Sequence, residues 1–173
     1  MWDQKLYQKA IDFAANAHLN QLVPGKKYQY TVHICNVAQE IMRSMFEEKF
    51  ENPDLAIQCA LLHDTLEDTS VEEEQLEIEF GKDVLSGVKA LTKNKTLEKK
   101  KQMIDSLERI MKLGSPIASV KLADRITNLQ IPPSHWNLEK KQNYLEEAKL
   151  IHTKLSKYNN YLGNRLLQCI KNY

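Results

Sequence analysis

The segment LAIQCALLHDTLEDT, residues 55–69, is apolar on most sides until it reaches His63-Asp64. An apolar helix of this kind belongs at the centre of a fold. An ionised aspartate on a buried helix costs several kcal/mol unless it is paired or bound to a cation. The chain must therefore both bury this segment and compensate the charge within it. Asn52-Pro53-Asp54 supplies the start of the helix, with Asn as cap and Pro in the first turn.

The rest of the chain supplies helices to surround it. Leu6, Ala10, Phe13, Ala14 and Ala17 share one face of a first helix, followed by a loop that holds Val23-Pro24-Gly25, Lys26 and Lys27. A second helix is expected from His33 to Glu47, with Val37, Ala38, Ile41 and Met45 inward. Ser70 and Glu73 have the spacing of a capping box for an acidic helix ending near Phe80-Gly81. A short helix from Asp83 to Leu91 follows, then another to about Leu113. Gly114-Ser115-Pro116 opens the segment IASVKLADRITNLQ and Pro132-Pro133 closes it, before helices over Leu138 to Ser156 and Asn159 to Lys171. No segment sustains period-2 alternation, and the low counts of 5 Gly and 5 Pro disfavour a turn-rich β chain. The expected fold is all-α, a compact multi-helix bundle formed by one domain over residues 1–173.

Composition narrows the partners. With 24 Lys+Arg against 23 Asp+Glu, the net charge of +1 gives no global field for a nucleic-acid backbone or an anionic membrane. No stretch approaches the roughly 18 apolar residues of a membrane span. The first 17 residues alternate charged and apolar types, unlike a signal peptide. Cys35, Cys59 and Cys169 lack metal spacing and read as buried free thiols in a reducing cytoplasm. The basic stretch TKNKTLEKKK at 92–101 reads as a solvated loop and helix start. His18, His135 and His152 read as surface or packing histidines, and Trp136 and Phe80 as core.

The compensation for Asp64 is sought among polar residues where packing wants none. His33 opens a helix, and Asp124 interrupts the apolar stripe of Val120, Ala123 and Ile126. Together with His63 and Asp64 they make two imidazoles and two carboxylates, a set suited to manganese, iron or zinc. Glu67 and Asp68 follow His63 and Asp64 by four residues, one helical turn on, where they are placed to hold and deprotonate a water that attacks phosphorus. That is a hydrolase arrangement.

These residues resemble the HD-domain metal phosphohydrolases, and within them the hydrolase domain of the RelA/SpoT alarmone enzymes. The matching motifs read Cys59-Ala60-Leu61-Leu62-His63-Asp64, Glu67-Asp68-Thr69 and Lys121-Leu122-Ala123-Asp124-Arg125-Ile126-Thr127-Asn128-Leu129. Phe80-Gly81, Lys95-Thr96-Leu97 and Tyr144 fall where the single-domain small alarmone hydrolases have equivalents. The resemblance covers nearly the whole chain and implies a stand-alone cytoplasmic HD-domain hydrolase. It implies His33, His63, Asp64 and Asp124 as ligands of Mn2+, with Glu67 and Asp68 as the catalytic pair. It implies Tyr30 and Asn128 along the nucleoside and ribose, and Lys99, Lys140 and Tyr144 near phosphates and base.

The implied reaction is hydrolysis of the 3′-pyrophosphate of ppGpp or pppGpp, releasing pyrophosphate and GDP or GTP. The substrate is a small nucleotide, with no nucleic-acid or membrane partner and no oligomeric state implied. The sequence makes two departures from the family pattern: Leu22 and Val23 replace a basic Arg-Lys pair that contacts guanine, and Ile34 replaces the proline after the first ligand. The same metal logic serves hydrolases of ppApp, of NADPH at its 2′-phosphate, or of nucleoside monophosphates. A non-catalytic nucleotide sensor would be favoured by the loss of a ligand or acidic residue, and none is lost.

Overall fold

A computed structural model describes residues 1–129, 132 and 136–173. It is all-α. The helices are α1 (Gln4–Ala17), α2 (Thr31–Glu47), α3 (Pro53–Leu62), α4 (Thr65–Asp68), α5 (Glu73–Leu91), α6 (Lys99–Leu113), α7 (Ser115–Asn128), α8 (Leu138–Leu155) and α9 (Asn160–Asn172). Among the described residues the sole β feature is an isolated antiparallel bridge between Leu22 and Gln29.

Helix α3 lies at the centre, as its composition demands. Every residue from Ala56 to Leu62 is buried, and the helix packs against α1, α2, α5 and α7. Each large aliphatic side chain buried here contributes roughly 1.5–3 kcal/mol. Asn52 accepts from the Leu55 amide at 3.2 Å and Pro53 fills the first position. The approach of α5 to α3 depends on Gly87, where a Cβ would stand 2.5 Å from Cys59 Sγ and 2.7 Å from Ile117 Cδ1.

Several expectations need correction. The apolar helix does not run through to Thr69; it stops at Leu62 and restarts at Thr65. Thr65 Oγ1 donates to the Leu62 carbonyl at 2.7 Å and His63 Nδ1 to the Ala60 carbonyl at 2.8 Å. These local side-chain bonds offer the carbonyls partners outside the regular ladder. The capping box at Ser70 does not form: α5 begins at Glu73 after Glu72, and Thr69 Oγ1 instead accepts from the Val71 amide at 3.1 Å. Helix α2 starts at Thr31, two residues before His33. Of the cysteines, Cys59 alone is buried, with Cys35 and Cys169 half-buried.

Phe80 and Trp136 are also half-buried, Phe80 meeting Phe13 edge to face at 5.1 Å. The two expected helices either side of Phe80-Gly81 form one element bent at Gly81, whose φ of 83° suits glycine. Helix α7 ends at Asn128, ahead of Pro132; Pro133 and His135 lie outside the described residues.

A buried asparagine ties the start of α9 to α2 and α7. Asn159, 3% exposed, caps α9 by accepting from the Leu162 amide at 2.8 Å. Its Nδ2 donates to Ser44 Oγ on α2 at 3.4 Å and to Ser119 Oγ on α7 at 3.3 Å. Arg165 on α9 adds a two-pronged bond to Glu40 on α2, 2.6 Å in each arm.

Candidate metal centre

Three of the packed helices meet at one point. Helix α2 brings His33, the interruption after α3 brings His63 and Asp64, and α7 brings Asp124. The two imidazole Nε2 atoms stand 3.3 Å apart. Asp64 Oδ2 lies 2.9 Å from His63 Nε2 and 3.8 Å from His33 Nε2. Asp124 Oδ1 lies 3.7 and 3.6 Å from the same two nitrogens. His33, His63 and Asp64 form the tight group, with ligand atoms all within 4.8 Å of one another, and Asp124 closes it from the side of α7.

The donor set fits a divalent cation. Ligand bonds of about 2.1 Å place neighbouring donor atoms roughly 3.0–3.4 Å apart, and the separations here, 2.9–3.8 Å, bracket that range. Because the His63 Nδ1–H is given to the Ala60 carbonyl, Nε2 is the nitrogen turned to the centre. Burial acts to lower His63, but the Asp64 carboxylate outweighs it and raises the imidazole to about 9. Burial likewise acts to raise Asp64, and His63 overrides it and holds the carboxyl low. His33 is kept below its ordinary value by burial and by His63.

The surroundings hold the carboxylates in place. The Tyr30 hydroxyl donates to Asp64 Oδ2. Lys121 Nζ lies 3.0 Å from Asp124 Oδ2, and Asn128 Nδ2 donates to Asp124 Oδ1 at 2.5 Å. Burial would lift the Asp124 carboxyl, but the Lys121 ammonium and then His63 bring it down to about 2.

On the rim, α4 carries Glu67 and Asp68, its first bond running from the Asp68 amide to the Asp64 carbonyl at 2.9 Å. Glu67 Oε2 accepts from the Lys93 amide at 2.9 Å, and the Glu67 carbonyl accepts from Lys95 Nζ at 3.0 Å. One carboxylate oxygen of Glu67 is thereby oriented. The Asp68 carboxyl is pushed up by partial burial and by Asp64 and Glu67 beside it, which favours the proton-holding form.

The expected nucleotide contacts are placed unevenly. Asn128 is exposed beside Asp124, while Tyr30 is 7% exposed with its hydroxyl committed to Asp64. Tyr144 lies under the Arg125 guanidinium at 4.2 Å and against Trp136 at 5.2 Å, and Lys140 sits 4.4 Å over the Trp136 ring. Lys99 is an exposed residue of the first turn of α6, and the lysine brought to the acidic pair is Lys95. Leu22 forms the small antiparallel bridge with Gln29 and is 47% exposed, and Val23 beside it packs on the core. Sequence reasoning passed over Lys121, visible as a lysine three residues before Asp124 on one helix face. It also passed over His18, marked in the sequence by no more than Gln21 three residues on.

A profile of the HD domain family matches residues 10–159. The guanosine-3′,5′-bis(diphosphate) 3′-pyrophosphohydrolase MESH1 of Xenopus tropicalis is 32% identical over 169 residues, covering 95% of this chain and 92% of that protein. The Homo sapiens protein of the same name is 31% identical, covering 94% and 92%. Among solved structures, that of a metazoan SpoT ortholog described as hydrolysing ppGpp superposes with a TM-score of 0.85 at 26% identity, covering 99% of this chain and 97% of the other.

Proposed function

Since this chain belongs to the HD-domain family, we propose that it is a hydrolase of the 3′-pyrophosphate of ppGpp and pppGpp, a single domain over residues 1–173 that acts in the cytoplasm. The substrate is taken from the relatives that carry this activity in their names and match over nearly their whole length. The observation that carries the chemistry is the meeting of two imidazoles and two carboxylates at 2.9–3.8 Å, with Glu67 and Asp68 on the short helix that directly follows Asp64.

His33, His63, Asp64 and Asp124 would hold one manganese ion. Bound there, the ion supplies Lewis-acid stabilisation of charge on phosphoryl oxygens and acidification of water. The chain's own part is positioning and proton handling. Glu67, its Oε2 fixed by the Lys93 amide, accepts the proton of the attacking water. Asp68, its carboxyl raised, holds a proton for the departing ribose 3′-oxygen. The Lys93–Lys99 segment offers point charges for the phosphates, a form of recognition indifferent to the base. Asn128, Tyr144 and Lys140 line the nucleoside end, with Tyr30 between it and Asp64.

The test is a panel assay: purified protein with Mn2+ and, separately, ppGpp, ppApp, NADPH and deoxynucleoside monophosphates, with pyrophosphate and orthophosphate measured apart. Pyrophosphate from ppGpp with GDP as the coproduct is the expected result. Orthophosphate from NADPH alone would move the assignment to a different substrate of the same metal chemistry.

A further inference from the structure

His18 stands outside the roles assigned so far, yet it is 2% exposed at the end of α1, and its ring is held on two sides. Its backbone N–H caps the helix by donating to the Ala14 carbonyl at 2.9 Å, a service any residue could supply. Its side chain is used elsewhere. Nδ1 lies 2.7 Å from Gln21 Oε1, and the ring stacks on Tyr30 with centroids 4.8 Å apart and planes 30° apart. The Tyr30 amide donates to the Gln21 carbonyl at 2.8 Å, so His18, Gln21 and Tyr30 form a closed unit of side-chain and backbone contacts. The far end of that unit is the Tyr30 hydroxyl on Asp64 Oδ2, with the Tyr30 ring 5.1 Å from His33. His18 Nε2 is buried without a partner. A desolvated nitrogen carries a cost that a merely space-filling residue would avoid.

We propose that His18 is a positioning residue of the metal centre acting through Tyr30: held by Gln21, its ring braces the phenol that fixes the plane of the Asp64 carboxylate. Groups that orient metal ligands in this way change affinity by about 10–100-fold when removed. The inference rests on the proposed reading of Asp64 as a ligand. It predicts that His18 matters to the cation through Tyr30's hydroxyl and by no other route.

The experiment measures the Mn2+ dissociation constant by calorimetry for the full chain, for His18→Ala, for Tyr30→Phe and for the double variant, with melting temperatures taken under chelator. Each single variant is expected to bind Mn2+ about tenfold more weakly. In the Tyr30→Phe background, His18→Ala should add less than about twofold, because the bond it braces is already gone. A packing role would persist in that background. Multiplying effects in the double variant, or wild-type affinity in His18→Ala, overturns the proposal. If His18→Ala does not fold, Gln21→Leu is used in its place at a half-buried position, with the same expected pattern. Asp64→Ala run alongside separates the two readings: unchanged Mn2+ affinity there refutes the metal site itself, whereas lost affinity with multiplying effects refutes only the role of His18.

Discussion

The floor of the site and its rim are built on opposite principles. On the floor, His33, His63 and Asp124 are buried on separate packed elements, and the orienting partners are short-range and specific: the Ala60 carbonyl, Tyr30, Lys121 and Asn128. On the rim, Leu22, Lys95, Lys99 and Lys140 are exposed, and the contacts that hold the segment run mostly from backbone groups, such as the Lys93 amide to Glu67. A buried charge tolerates few arrangements, because an unpartnered one costs several kcal/mol. An exposed lysine tolerates many. On the proposed reading, the contrast separates reaction chemistry, set by the floor, from substrate choice, left to side chains that can change without disturbing the fold.

The contrast is tested most severely at the floor. His63→Ala or Asp64→Ala should abolish both bound manganese and turnover, since each removes one donor from a single ion. Metal content after purification is the readout, and full occupancy in either variant would break the assignment. Chelation of the unaltered protein should lower the melting temperature, as removal of a ligand that binds only the folded state requires.

Glu67→Gln tests the boundary between floor and rim. It keeps the shape and the bond from the Lys93 amide but removes the base, so turnover should fall on the order of a hundredfold with manganese retained. Loss of the metal would move Glu67 to the floor. At the rim the effects should be smallest. Leu22→Arg or Val23→Arg restores a guanidinium where the family pattern has basic residues. Either should lower the KM for ppGpp severalfold at nearly constant kcat, the pattern of added uniform binding. A hundredfold preference for ppGpp over ppApp in the unaltered protein, about 2.7 kcal/mol, would mean that another part of the chain reads guanine.

The floor was largely legible in the sequence for the same physical reason that it is rigid. His63-Asp64 in an apolar helix and Asp124 in an apolar stripe violate packing, and such violations stand out. The interruption between α3 and α4 was not legible. The apolar pattern continues through it, and the bonds from Thr65 to the Leu62 carbonyl and from His63 to the Ala60 carbonyl leave no mark in hydrophobic periodicity. The Ser70 capping box failed because the spacing is necessary for that bond but does not compel it; Thr69 makes a competing local turn. The pairing of His18 with Tyr30 was not legible, although each residue was read singly, because what matters there is ring-on-ring contact across 12 residues, which no local pattern encodes. The rim was legible as composition alone: the basic run at 92–101 reads as solvated, while the particular reach of Lys95 to Glu67 depends on how the loop folds back.

The amide of Asn159 has a bearing on synthesis as well as on architecture. Every residue proposed to hold the ion lies between positions 33 and 124, so a ribosome releases the whole donor set well before it adds position 159. Until then α2 and α7 lack the shared bond through Ser44 and Ser119 that sets one against the other. A nascent chain would carry all the donors before Asn159 ties α2 to α7, and the tightest uptake of the ion would wait for Asn159 to emerge. Binding would then report the arrival of α9.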